Sequence, residues 1–168
     1  MISSALSFLV SDLNSYFRST LALQEDRVIL SSISQIDGSL AENNTDKVVV
    51  SLINIAEEPA TRTNAGMPPA LSLDLHVLCS SSFNDYAESL KFISGVVAFF
   101  HSKNVFNHSN SPALADRVDK MIVELAPASF RDMANIWGML GSKYQPCVLY
   151  KVSVLSAPDG VWESAAPL

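Results

Sequence analysis

The sequence predicts an α+β domain: a mainly antiparallel sheet of about five to six strands with three helices packed on it. Three observations carry that reading. In three stretches, at the chain start, after Ser82 and after Ser129, apolar residues recur at three- and four-residue steps, the spacing of an amphipathic helix. The segments between them are β-branched or alternate apolar with polar, as strands do. The links between the early strands are of hairpin type, which favours antiparallel pairing with the helices on one face of the sheet.

Taken in order, Ile2, Ala5, Leu6, Leu9, Leu13, Tyr16, Phe17 and Leu21 define a first helix over residues 2–22. Val28 to Ile33 is a short strand, closed by Asp37-Gly38, and the polar run Ala41 to Asp46 is a loop. Lys47 to Ala56 is apolar on both alternating faces, the pattern of a central strand covered on each side. Glu57-Glu58-Pro59 stops it, and a second long loop runs to residue 70. Leu71, Leu73, Leu75 and Val77 then alternate with Ser72, Asp74 and His76, giving one buried and one polar face. Ser82-Phe83-Asn84-Asp85 has the spacing of a capping box and opens the second helix. The apolar residues Leu90, Phe92, Ile93, Val96, Val97, Phe99 and Phe100 wrap more of that helix than the core of a monomer requires, so part of it is expected to meet another subunit. A short extended piece at Asn104 to Asn107 precedes a strand over Lys120 to Leu125, with Met121, Val123 and Leu125 inward. Ser129-Phe130-Arg131-Asp132 is a second capping box; it opens a third helix with Phe130, Met133, Ile136, Trp137 and Leu140 on its apolar face, Gly138 allowing close packing and Gly141 ending it. The last strand runs from Val148 to Leu155, and the tail from Ala157 is expected to be frayed.

With 168 residues, 48% of them hydrophobic and 17% charged, the chain has the length and composition of one folded domain, placed at residues 1–156 with 157–168 as a flexible tail. A formal charge of −6 and only eleven scattered Lys and Arg argue against nucleic acid and against an anionic membrane surface as partners. The N-terminal segment has no basic region and contains Asp12, unlike a signal peptide, and no apolar run approaches the roughly 20 residues that span a bilayer. The expected product is a soluble protein made in the cytoplasm.

The motifs that superficially suggest chemistry each fit a structural role better. Gly138-Met139-Leu140-Gly141-Ser142-Lys143 superficially resembles a phosphate-binding loop, but the glycines are too close and they end a helix where that motif begins one. His76, His101 and His108 lack the spacing of a zinc site, and Cys79 and Cys147 have no partner at ligand or redox spacing. Glu57-Glu58 and Asp116 with Asp119 fit solvated faces better than an acid and base pair. No catalytic residue, metal or cofactor is assigned; the reading is a non-enzymatic protein.

Several stretches taken together resemble one family. They are Arg27-Val28-Ile29-Leu30, Asp46 to Ile55 with Glu57-Glu58, Pro68-Pro69 before Leu71 to Leu78, Tyr86, Leu90 to Ser94, Phe99-Phe100, Val105-Phe106, Glu124-Leu125, and Trp137 to Pro146 followed by Tyr150-Lys151-Val152. Over residues 1–155 the chain resembles the tail-terminator or cap proteins of extracellular contractile injection systems, such as the antifeeding prophage and the Photorhabdus virulence cassettes. The resemblance implies a structural cap, a sixfold ring that ends polymerisation of the inner tube and contractile sheath. Its implied partners are copies of itself, the tube protein and the sheath protein. It also implies assembly in the bacterial cytoplasm, then residence in a phage-tail-like particle that is released. An assembly chaperone or interaction module for tube or sheath subunits is the alternative. The expected interface combines the extended piece Asn104, Val105, Phe106 and Asn107, two polar loops including Arg62, and the second helix through Phe92 and Phe99.

Overall fold

A computed structural model describes residues 1–35, 39, 41–57 and 71–156. Helix α1 (Ile2–Leu21) leads to strand β1 (Val28–Leu30), a 3-10 turn (Glu42–Asn44), β2 (Lys47–Glu57) and β3 (Ser72–Ser82). Helix α2 (Tyr86–Ser102), β4 (Val105–Asn107), β5 (Val118–Leu125), α3 (Phe130–Leu140) and β6 (Cys147–Ser156) complete the chain. The six strands form one sheet in the order β1-β2-β3-β6-β5-β4, with β1 parallel to β2 and every other pair antiparallel. The α+β class, the sheet size and the three helices agree with the sequence reading.

The helices do not share one face. Helices α1 and α2 cover the side carrying Val48, Val50, Leu75, Val77, Met121, Val123, Tyr150 and Val152, whereas α3 packs through Trp137 against Val49 and Leu78 on the other side. The cause is visible in β2: successive buried residues Val48, Val49 and Val50 point to opposite faces, so both faces need an apolar cover. Helix α3 supplies it over β1, β2, β3 and the start of β6, through Ile29, Val49, Leu78, Cys147 and Leu149. Beyond its reach the same face turns polar, with Asn54, His76, Lys151 and Glu124 in one cross-strand row. Lys151 Nζ lies 3.4 Å from Glu124 Oε2 and 3.9 Å from Asp74 Oδ2.

Four local expectations are corrected. Ser82 ends β3, and the N-cap of α2 is Asp85, whose carboxylate accepts the Ala87 N–H at 2.9 Å. Leu125 does not point into the core: it is 61% exposed, because β5 runs on past the cover of α2. Phe130 stands on the first turn of α3 clear of the sheet and is 98% exposed. Gly138 gives no close approach, since a Cβ there would meet nothing within 4 Å. Gly141 does end α3, in the left-handed region at φ 64°.

The glycine that close packing requires is Gly95 on α2. A Cβ there would lie 2.4 Å from Phe17 Cε1 and 2.9 Å from its Cζ. Phe17 cannot retreat easily, because it is 1% exposed and wedged between Tyr16 and Phe92. Gly95→Ala is therefore expected to destabilise the protein by about 1–2 kcal/mol, the overpacking of a filled core outweighing a helix-propensity gain of roughly 1 kcal/mol. Chemical denaturation measures the balance, and a stabilised variant would contradict the tight contact.

The predicted capping box of α3 is formed: Ser129 Oγ accepts the Asp132 N–H at 3.2 Å, and Asp132 Oδ2 accepts the Ser129 N–H at 2.9 Å. The hydrogen bonds from Ser129, first from its side chain and then its backbone, hold the Asp132 carboxyl below its ordinary value. A depressed carboxylate contributes stability that is complete above the unfolded pKa and is lost as pH falls through the folded one. Acidification through and below the ordinary Asp range is thus expected to fray the first turn of α3. Asp132→Asn should remove that response, and the carboxyl NMR shift of Asp132 against pH tests it.

Candidate assembly interface

Both outer strands of the sheet are closed by an asparagine. At β1, Asn14 on α1 accepts the Arg27 and Val28 N–H groups through Oδ1 at 3.1 and 2.9 Å, and donates through Nδ2 to Val28 O at 2.8 Å. It takes the place of a neighbour strand at Val28. At β4, Val123 N–H donates to Asn104 O, so the alternation of the ladder turns the main-chain groups of Val105 and Asn107 outward. Asn110 fills them: its Nδ2 donates to Val105 O at 3.0 Å and its Oδ1 accepts the Asn107 N–H at 3.1 Å. Asn107 O in turn accepts from Asn110 N and Ser111 N at 3.2 and 2.8 Å. A strand arriving at β4 would have to displace this turn. Sequence reasoning singled out neither asparagine; at Asn14 the signal was a polar residue beside an apolar helical stripe.

The candidate interface residues fall into three groups. Asn104 is exposed, with Val105 and Asn107 half-buried beside it at the sheet edge. Phe106, Phe92 and Phe99 are buried in the core at 0%, 2% and 6% exposure, so their side chains serve packing. Arg62 lies outside the described residues, with most of the loop that carries it. The apolar surplus of α2 is real, but other residues present it. Tyr86, Leu90 and Val97 are 65%, 45% and 40% exposed and follow one another at helical spacing. Leu125 extends this stripe onto the sheet. Between them a groove of about 300 Å³, lined by Val97, Phe100, His101, Val123, Leu125 and Tyr150, opens next to Asn104. On the other face, Phe130, Met139 and Tyr144 are exposed at the two ends of α3.

The potential reactive groups are placed for packing. Cys79 faces the α1 and α2 side while Cys147 faces α3, so the sheet separates the two thiols. Burial, and then Cys147, push the Cys79 thiol up to about 12, which leaves it protonated and unfit as a nucleophile. Burial likewise raises Tyr150. Among the described residues no three His, Cys, Asp or Glu side chains converge as metal ligands, and no helix is long and apolar enough to cross a membrane. What the surface offers is an apolar belt beside a sealed edge, suited to burial against another protein.

A family model, the Pvc16 N-terminal domain, matches residues 6–168. No curated protein matches the sequence. Among solved structures, the fold is similar to the sheath/tube terminator of an extracellular contractile injection system, PVC, in its extended state, with a TM-score of 0.63 at 15% identity. That match covers 100% of this chain and 63% of the other. It is also similar to the tube-terminating cap of the anti-feeding prophage, with a TM-score of 0.50 at 16% identity over 93% of this chain and 56% of that one. The chain thus spans less than two thirds of either structure's length, and at these identities the likeness is one of fold.

Proposed function

The chain belongs to the Pvc16 N-terminal domain family, and from that premise we propose that it is a structural, non-enzymatic cap that ends growth of the tube and sheath in a contractile injection particle. The observation that carries the proposal is the apolar belt of Tyr86, Leu90, Val97 and Leu125, left uncovered in a fold similar to that of a sheath/tube terminator. Large exposed apolar side chains arranged in a line mark a protein interface more often than bare surface. In a ring, a head-to-tail contact repeats until rotation closes it, and a cap stops a polymer when its two faces differ. We assign the belt and the adjoining Asn104 to the contact between neighbouring copies, six to a ring. Two different partners, the tube end and the sheath end, then meet the remaining surface on one side only. The protein would assemble in the bacterial cytoplasm and remain in the released particle.

Electron microscopy of particles assembled with and without the protein tests this reading. The expected result is capped, uniform particles with it, and open ends with scattered lengths without it. Normal ends in its absence would overturn the cap. Recovery of the protein only in soluble complexes with tube or sheath subunits would favour an assembly chaperone instead.

A further inference from the structure

The α3 side of the sheet carries a cavity of a different character from the apolar groove. Where α3 stops covering the sheet, a cleft of about 570 Å³ opens between its first turn and strands β3, β6 and β5, lined by His76, Lys151, Leu149, Pro127, Glu124 and Asp132. Its charge is unbalanced. Lys151 carries the one ammonium among these residues, and it already pairs with Glu124 Oε2 at 3.4 Å and Asp74 Oδ2 at 3.9 Å. Asp132 adds a third carboxylate. Its Oδ2 is engaged by the N–H and the hydroxyl of Ser129 at 2.9 and 2.7 Å, inside the capping box. Oδ1 of Asp132 and Oε1 of Glu124 therefore remain as acceptors with no donor among the described residues. His76 supplies none either, since it makes no hydrogen bond among the described residues and its Nδ1 is buried.

We propose that this cleft receives a basic side chain of the protein that stacks on the α3 side of the ring, with Phe130 packing beside it. The inference rests on the cap reading above. A concave site with an excess of carboxylate holds a cation more strongly than flat surface does, because its walls keep out water. The cation's donors would meet Glu124 Oε1 and Asp132 Oδ1, and its aliphatic stem would lie on Leu149 and Pro127. An acidic occupant is disfavoured, since the ammonium it would need is already between two carboxylates. The surroundings point to a protein as the carrier of the charge. Phe130 stands two residues before Asp132 on the same turn of α3 and is 98% exposed. A bare aromatic ring next to a charged cleft is the pairing of apolar anchor and polar pocket that protein interfaces use.

Electron microscopy of particles assembled with the wild-type chain, Glu124→Gln, Glu124→Gln with Asp132→Asn, or Lys151→Gln tests the cleft, while light scattering follows ring formation by each protein alone. Rings are expected from all four. The fraction of capped ends should fall by about ten-fold in the double variant and by less in Glu124→Gln, while Lys151→Gln keeps its caps. Wild-type capping by the double variant would overturn the proposal and leave the cap reading standing. Loss of caps in Lys151→Gln alone would overturn it too, placing an acidic side chain in the cleft. Open ends with the wild-type chain would overturn the cap reading itself. Glu124 is exposed on β5, so if the double variant fails to fold, Glu124→Gln carries the test, and an unchanged fraction of capped ends overturns the proposal.

Discussion

Phe106→Ala is expected to destabilise the protein by about 3–5 kcal/mol, the cost of truncating a fully buried aromatic ring. Phe106 is 0% exposed, although it lies on a strand of three residues at the margin of the sheet. Its ring meets Phe8 at 5.8 Å in an edge-on arrangement, Phe99 at 6.4 Å and Phe100 at 6.5 Å, so one side chain ties β4 to both helices. Lys103 lies 4.8 Å above the ring centroid while its ammonium pairs with Asp12 at 2.9 Å. Removal of the ring therefore opens a cavity between α1, α2 and the sheet, and loosens the ion pair above it. For a chain of this size a melting temperature lower by roughly 10 °C is expected. A loss below about 1 kcal/mol in urea denaturation would mean that neighbouring rings collapse into the space. Because β4 hangs on this contact, its amides should lose protection before the rest of the sheet.

The second large effect falls on assembly and spares the fold. Val97→Asp combined with Leu125→Asp places two charges on residues that are already 40% and 61% exposed, so monomer stability should change by no more than about 0.5 kcal/mol per site. If the belt is the contact between copies, burying those charges weakens it by about 2 kcal/mol each, on the order of a thousand-fold in subunit affinity. Light scattering should then report monomers, and particles assembled with the variant should lack caps. Rings that persist unchanged would remove Val97 and Leu125 from the interface. Phe130→Asp on the opposite face is the informative comparison, since Phe130 is 98% exposed and its loss should leave ring closure intact while altering any stacking through that face.

Much of the fold is legible in periodicity because its elements are long and bury one side. The stripe Leu6, Leu9, Leu13 and Phe17 predicts α1 to within one residue at its C-terminus, and the alternation of Val148 to Leu155 gives β6 nearly complete. The capping box at Ser129 and the glycine at 141 are local chemistry, so they too are read correctly. The cap at Ser82 fails because β3 extends into it, and pairing with β2 outweighs a local hydrogen bond.

The sequence by itself determined the class of this protein: an acidic α+β domain of about five to six strands and three helices, with no convergent chemistry in its motifs and with more apolar surface on α2 than one core needs. Only the tertiary structure decided which residues are that surplus. A helical stripe has no marked inner boundary, so Phe92 and Phe99 are indistinguishable by spacing from Leu90 and Val97 until the sheet takes one set and leaves the other. Strand order likewise lies outside the reach of periodicity, because it depends on contacts far apart in the chain. It placed β1 and β4 at the margins, where Asn14 bonds the outward main-chain groups of Val28 and Asn110 those of Val105 and Asn107.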